Sequence, residues 1–124
     1  MTVAYLWFNA AIYLVFGLWC TLQHGKTTQT QGFLSLDNNG RCEYLTVYGG
    51  MELGFAAFYV ACALRPEFRG AGILFSLCIY AGIVAYRLTS LALFSNISTT
   101  TKAIAGLELA LFACAVLLFI KTGE

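Results

Sequence analysis

Four long apolar segments, separated by shorter polar stretches, make up most of the chain. They cover approximately residues 4–22, 45–64, 71–94 and 103–120. Each is close to the roughly 20 residues that an α-helix needs to cross about 30 Å of hydrocarbon. Because backbone groups in lipid must be hydrogen-bonded within their own segment, all four segments are predicted to be helices. The pattern therefore predicts an all-α, polytopic membrane protein, with four transmembrane helices in an antiparallel bundle that forms one domain over residues 1–124.

The connections between these segments are short, with one exception. Residues 65–70 contain Pro66, which is expected to end the second helix. Residues 95–102 carry a Ser-Thr-Thr-Thr run, whose hydroxyls suit helix N-capping. The exception is residues 23–42, a polar loop of about twenty residues, and loops of this length are usually functional or mobile. This loop is a candidate cover for the helix ends.

Composition and charge agree with a membrane location. The chain is 60% hydrophobic and 10% charged, whereas soluble domains are about 45–50% apolar and about 25% charged. Membrane lipid is therefore the expected surroundings, and a net charge of +1 gives no indication of nucleic-acid binding. The two arginines Arg65 and Arg69 lie in the shortest connection and favour a cytoplasmic side for that turn and for both termini.

Three charged residues fall inside the apolar segments: Glu52 in the second, Arg87 in the third and Glu108 in the fourth. With a helical rise of about 1.5 Å per residue, all three lie roughly 8–11 Å below the same membrane face. Each such charge costs on the order of 2.5–3.5 kcal/mol on insertion scales, so ionisable residues at this depth are functional-site hypotheses. We predict that the three meet in one buried polar site. Two carboxylates and one guanidinium leave a negative charge, which a proton, a cation or a cationic ligand would balance.

The second predicted helix has two different faces at about 100° per residue. Glu52 shares one face with four aromatic residues: Tyr44, Tyr48, Phe55 and Tyr59. The opposite face carries four small residues: Gly50, Gly54, Ala57 and Ala61. Helices in lipid associate through close packing of small residues. The aromatic face is therefore predicted to line the polar site, with the Tyr48 hydroxyl beside a carboxylate. The small-residue face, together with Gly49, is predicted to pack against a neighbouring helix, a second copy of the chain or another membrane subunit.

Other candidate motifs are weaker. Gly25-Lys26-Thr27 lacks the earlier glycine of a phosphate-binding loop. His24 is the only histidine and has no cluster around it, so no metal site is expected. The five cysteines show no Cys-x-x-Cys spacing, and neither redox catalysis nor a cofactor is expected. Cys20 and Cys42 are predicted near the same membrane face and could pair if that face is oxidising.

The polar and glycine positions together resemble a known family pattern. They are Asn39-Gly40, Glu43, Tyr48-Gly49-Gly50, Glu52, Gly54, Arg87-Leu88 and Glu108-Leu109. In this arrangement the chain resembles a family of small four-span bacterial membrane proteins of unknown function, over nearly its whole length. The Glu-x-x-x-x-Tyr-Gly-Gly portion is the most specific part. The resemblance implies a bacterial inner-membrane protein and draws attention to a set of site residues: Glu43, Tyr48, Gly49, Gly50, Arg87 and Glu108. It implies no activity.

Three classes of function remain open from the sequence. In the first, the site of Glu52, Arg87 and Glu108 binds or transports a proton, a cation or a small polar or amphipathic ligand. In the second, the charges form a fixed packing lock in a structural or accessory membrane subunit. In the third, a membrane enzyme uses Glu52 or Glu108 for acid/base chemistry, which requires a carboxylate tuned toward the working pH. We rank the enzyme last, because no nucleophile or metal set accompanies the carboxylates.

Overall fold

The computed structural model describes residues 1–122, and these residues are helical over most of their length. The elements in chain order are α1 (Thr2–Leu22), α2 (His24–Thr30), α3 (Asn38–Tyr44), a π-helical segment (Leu45–Met51), α4 (Glu52–Leu64), a 3-10 turn (Pro66–Phe68), α5 (Arg69–Leu93) and α6 (Thr99–Thr122). The three elements from α3 to α4 run on without a break as a second long helix, Asn38–Leu64. Within residues 1–122 there is no β-strand.

Four helices are long and apolar enough to cross a membrane. They are Thr2–Leu22, Asn38–Leu64, Pro66–Leu93 and Thr99–Lys121. Each has at least 18 residues, a length that suits the hydrocarbon thickness of a bilayer. The predicted fold class, an all-α polytopic membrane protein with four spanning helices, is confirmed.

The chain forms two compact units. The N-terminal unit is Val3–Pro66 and contains α1, α2 and the second long helix. The C-terminal unit consists of Met1–Thr2 and the described part of Glu67–Glu124. In that unit α5 and α6 pack together as a helical hairpin.

The end of α4 and the start of α6 agree with two signals in the sequence, a proline stop and a hydroxyl N-cap. Arg65 is extended, at φ −110° and ψ 113°, which is the conformation favoured before proline. The predicted stop at Pro66 is therefore confirmed. The Ser98 hydroxyl accepts a hydrogen bond from the Thr101 backbone N–H at 3.2 Å, so the predicted hydroxyl N-cap is also confirmed. This cap places the start of α6 at Thr99, earlier than the apolar pattern indicated.

The second long helix begins at Asn38, seven residues before the apolar segment. Its start is fixed by Asp37, whose Oδ1 accepts a hydrogen bond from the Gly40 N–H at 2.7 Å. The first two helical turns are polar, so apolar periodicity alone placed the start too late. The connection that precedes this helix contains α2 and a turn at Gly32, where φ is +88°. Glycine adopts this left-handed conformation at little steric cost.

Candidate functional site

An ion pair joins the two helices of the C-terminal unit. Arg87 Nε donates to Glu108 Oε2 at 2.8 Å, and Arg87 Nη2 donates to Glu108 Oε1 at 2.8 Å. This two-point geometry is among the strongest that a guanidinium and a carboxylate can form. It brings together two of the three intramembrane charges that the sequence singled out, one from α5 and one from α6.

The pair is only partly buried, which corrects the expectation of a buried salt bridge. The Arg87 side chain is 33% exposed and the Glu108 side chain 14%. The neighbours of Arg87 along α5 explain this result, because Tyr86 is 82% exposed and Leu88 55% exposed. Arg87 therefore lies at the border between the packed and the outward side of its helix. Since Arg87 is six residues before the end of α5 at Leu93, the pair lies about 9 Å from that helix end.

Glu52 is the first residue of α4, directly after the π-helical segment, and is partly buried. Helix α1 approaches it closely at Gly17. A Cβ atom added to Gly17 would lie 3.1 Å from Glu52 Cβ and 3.1 Å from two side-chain atoms of Leu53. Within the described N-terminal unit, no side chain forms a hydrogen bond or an ion pair with the Glu52 carboxylate. The predicted meeting of Glu52 with Arg87 and Glu108 stays a prediction.

The π-helical segment Leu45–Met51 contains the Tyr-Gly-Gly core of the motif. In a π-helix the backbone bonds run from i to i+5, and such segments are frequent at functional sites within α-helices. Gly49 is buried in this segment against α1, and an added Cβ would lie 2.7 Å from Thr21 Oγ1. The Thr21 hydroxyl itself donates to the Gly17 carbonyl at 2.8 Å. Glycines at two positions thus permit the close approach of α1 to the second long helix.

The four small residues predicted to share one face of the second long helix are exposed. Gly50 and Gly54 have no atom within 4 Å of a position where a Cβ would be added. Ala57 and Ala61 are exposed as well. These four residues form the small-residue face. Its predicted contact with another chain stays a prediction.

A hydrogen-bonded network around Tyr44 was not foreseen from the sequence. The Tyr44 hydroxyl donates to Thr27 Oγ1 at 2.9 Å and accepts from Gln31 Nε2 at 2.9 Å. Cys20 Sγ lies 3.4 Å from the same hydroxyl. Tyr44, Thr27 and Cys20 are all buried, at 4%, 0% and 0% exposure. The network fastens α2 and the end of α1 to the second long helix. One available signal was the spacing of Thr27 and Gln31, which places both on one face of a short helix.

Aromatic rings extend this network along the second long helix. The Tyr44 and Tyr48 rings are stacked, with centroids 4.8 Å apart and planes at 23°. The Phe33 ring meets both edge-on, at 6.0 Å from Tyr44 and 6.3 Å from Tyr48. Tyr48 therefore belongs to an aromatic cluster with Phe33 and Tyr44, while its proposed bond to a carboxylate stays a prediction. Glu43, which the resemblance indicated, is exposed on α3.

All five cysteines of the chain are free thiols. Cys20 is buried and takes part in the Tyr44 network, whereas Cys42 is exposed. The pairing of Cys20 with Cys42 that their predicted location allowed is not formed. The reason is local, since the Cys20 thiol is covered by Tyr44 and by Gln31, whose Nε2 lies 3.7 Å from Sγ.

Four span-capable helices, a charged pair between two of them and a further carboxylate in a third define a small polytopic α-helical membrane protein. Residues 1–119 match the family model described as "Domain of unknown function (DUF4345)", and the chain belongs to this family. No curated protein and no solved structure matches the chain. The family match confirms the expected membership in a family of unknown function.

Proposed function

We propose that this membrane protein binds a proton or a cation at Glu52, and that the Arg87–Glu108 pair is a structural ion pair that holds α5 against α6. The observation that carries the proposal is the difference between the two carboxylates. Both oxygens of Glu108 accept hydrogen bonds from one guanidinium. The Glu52 carboxylate has no such partner within the described part of its own unit.

An ionised carboxylate inside a membrane span is costly, because lipid cannot hydrate it. Such a group is stabilised by taking up a proton, pairing with a cation or coordinating a ligand. Glu108 already meets this requirement through Arg87. For Glu52, an exchangeable proton or cation would neutralise the charge of the carboxylate in the same way. Binding of that proton or cation is then the function of the residue.

The position of Glu52 also suits a binding role. It directly follows the π-helical segment, and deviations of this kind are typical of functional positions in helices. The backbone there is held firmly, because Gly17 and Gly49 allow α1 to pack tightly against it. A binding group on a rigid helix keeps its geometry better than one on a loop.

The proposal is tested with the purified full-length protein in two measurements. In liposomes, proton, Na⁺ and K⁺ fluxes are followed with ion-sensitive dyes under an imposed membrane potential. In detergent, the melting temperature is followed against pH and against NaCl, KCl and choline chloride at constant ionic strength. We expect a response of the wild type to one of these ions and its loss in Glu52→Gln.

The matched control is Glu67→Gln, which removes an exposed carboxylate that belongs to no predicted site. This variant is expected to respond as the wild type does. If Glu52→Gln behaves as Glu67→Gln in both measurements, Glu52 is not the binding group. The accessory-subunit hypothesis then becomes the better description of the protein.

For location, we propose the bacterial inner membrane, with the turn Pro66–Phe68 and both termini on the cytoplasmic side. Support comes from Arg65 and Arg69, which flank the turn, because short cytoplasmic connections are enriched in arginine and lysine. With four alternating spans, this proposed orientation has α2 and the start of the second long helix on the outer side.

We also propose that the chain self-associates through the small-residue face. Its two glycines have open space above them, which leaves room for the backbone of a second helix. Cross-linking in native membranes should therefore trap a dimer or a larger oligomer. Gly54→Leu is expected to weaken the cross-link, whereas Gly70→Leu, at another open glycine outside this face, is not. Recovery of monomer alone from the wild type would contradict self-association.

A further inference from the structure

A cleft of about 280 Å³ lies in the connection between α1 and the second long helix. Its walls are formed by α2, by residues 33–36 and by the first turns of the second long helix. This volume is close to the lower end of the about 300–1,000 Å³ that is usual for ligand sites. We propose that the cleft binds an amphiphilic anion of the phosphate-ester type, with its head group at Arg41 and His24 and its apolar part along Phe33 and Leu34.

The charge of the lining favours an anion. Arg41 and His24 line the cleft, and no carboxylate among residues 1–122 does. Within residues 1–122, neither side chain is engaged in a hydrogen bond or an ion pair with another residue. The Asp37 carboxylate accepts the 2.7 Å hydrogen bond from the Gly40 N–H through Oδ1 and forms no ion pair with Arg41. Arg41 is therefore available to an incoming group.

The number of donors favours phosphate over a smaller anion. A guanidinium offers several N–H groups in a planar fork that matches phosphate oxygens. The Gln29 amide and the Ser35 hydroxyl add two neutral donors on the same lining. A tetrahedral phosphate ester, with several acceptor oxygens pointing in different directions, can use donors on more than one wall of the cleft.

The walls of the cleft are fixed before any ligand arrives. Tyr44 forms part of the lining, and its hydroxyl is held by Thr27 and Gln31. Phe33 packs edge-on against the Tyr44 ring, and its backbone N–H donates to the Thr28 carbonyl at 2.9 Å. A site that is already ordered binds more tightly, because little conformational freedom is lost on binding.

The apolar part of the ligand is indicated by the exposed residues of the lining. Leu34 is 97% exposed and Phe33 38% exposed, although both belong to a mainly polar connection. The connection starts directly after α1 ends at Leu22, so the cleft adjoins the end of a membrane span. Exposed apolar side chains at such a position suit contact with acyl chains. A membrane phospholipid and a soluble phosphate ester share the required head-group chemistry, and experiment can separate them.

The test uses the full-length protein and the substitution Arg41→Gln. The matched control is Lys26→Gln, which removes one positive charge from α2 but none from the cleft lining. Native mass spectrometry measures retention of phosphatidylglycerol or phosphatidylcholine from mixed micelles. A melting-temperature titration measures protection by inorganic phosphate and by glycerol 3-phosphate. Loss of the guanidinium should weaken binding about tenfold or more.

Retention of phosphatidylglycerol by the wild type and by Lys26→Gln, but not by Arg41→Gln, supports the proposal with a lipid as the source. Protection by the soluble phosphates with the same pattern supports it with a soluble ester as the source. Equal behaviour of Arg41→Gln and Lys26→Gln in both measurements overturns it. Arg41 is exposed, so Arg41→Gln should fold as the wild type does. His24→Gln, a second substitution in the lining, must also weaken binding of the lipid or the soluble phosphate.

Discussion

Arg87 and Glu108 are joined by two hydrogen bonds, each 2.8 Å long, between one guanidinium and one carboxylate. The two residues come from α5 and α6, which are connected by only five residues, 94–98. A contact made by two hydrogen bonds fixes both the axial position and the rotation of one helix relative to the other. The pair therefore specifies how the hairpin closes, in addition to any contribution to its stability.

Removing one partner of this pair should destabilise the hairpin. Glu108→Gln leaves Arg87 without its carboxylate in a partly buried position. Surface pairs contribute about 0–1 kcal/mol, and breaking a buried pair costs about 3–5 kcal/mol. For partial burial we expect a loss of about 1–3 kcal/mol in the free energy of unfolding, measured by denaturant titration in mixed micelles.

The control for this prediction is Glu67→Gln, which removes an exposed carboxylate from the same unit. The double variant Arg87→Gln with Glu108→Gln should recover part of the lost stability, because the guanidinium that lost its carboxylate is removed as well. Equal stability of Glu108→Gln and Glu67→Gln would show that the pair contributes nothing to the hairpin.

Hydrophobic patterning was sufficient to predict the four long helices, because a membrane span requires a long apolar run whatever its partners are. It also indicated Arg87 and Glu108, since charges inside such runs are rare. The same pattern could not reveal α2. This seven-residue helix is polar, so it has no apolar period, and it is held in place by the contacts of Thr27 and Gln31 with Tyr44.

The π-helical segment was equally inaccessible to periodicity. A π-turn differs from an α-turn by one residue in the hydrogen-bond span, and over Leu45–Met51 that difference is too small to detect in a pattern of apolar positions. The sequence did show glycines there, and it predicted a helix-packing role for both Gly49 and Gly50. The structure separates them, because Gly49 lies against Thr21 whereas Gly50 faces open space.

This separation predicts opposite outcomes for two adjacent substitutions. Gly49→Ala places a methyl group 2.7 Å from Thr21 Oγ1, and overpacking of this kind typically costs about 1–3 kcal/mol. Gly50→Ala meets no atom within 4 Å and should be neutral or stabilising by up to about 1 kcal/mol, because alanine restricts the unfolded chain. Thermal unfolding of the two variants in the same detergent gives the comparison.

A compensating change tests whether the contact with Thr21 is responsible. Thr21→Ala removes the hydroxyl that a methyl group at position 49 would meet. Gly49→Ala should therefore lower the melting temperature less in a Thr21→Ala background than it does in the wild type. Additive losses would mean that the methyl group is harmful for another reason.

Tyr44→Phe should loosen the connection between α1 and the second long helix. The change removes the oxygen that donates to Thr27 Oγ1 and accepts from the Gln31 amide, so two hydrogen bonds of 2.9 Å are lost. A hydrogen bond of this kind contributes about 0.5–1.5 kcal/mol. We expect faster amide hydrogen exchange in His24–Thr30, measured by mass spectrometry.

Tyr86→Phe is the matched control for this experiment. It removes the same oxygen from a residue that is 82% exposed on α5, so exchange in His24–Thr30 should stay at the wild-type rate. Faster exchange in α2 that is seen equally in both variants would contradict the structural role of the Tyr44 hydroxyl.

The free cysteines provide a test of both the network and the orientation. A membrane-impermeant maleimide applied to intact cells should label Cys42, which is exposed at the start of the second long helix, and should leave Cys20 unlabelled until the protein is denatured. Cys20 is protected because Tyr44 and Gln31 cover its thiol, and Tyr44→Phe should raise its labelling.

Cys78 and Cys114 are exposed but lie within α5 and α6, where lipid excludes the reagent. Labelling of Cys42 only after the cells are permeabilised would place this end of the helices in the cytoplasm and reverse the proposed orientation.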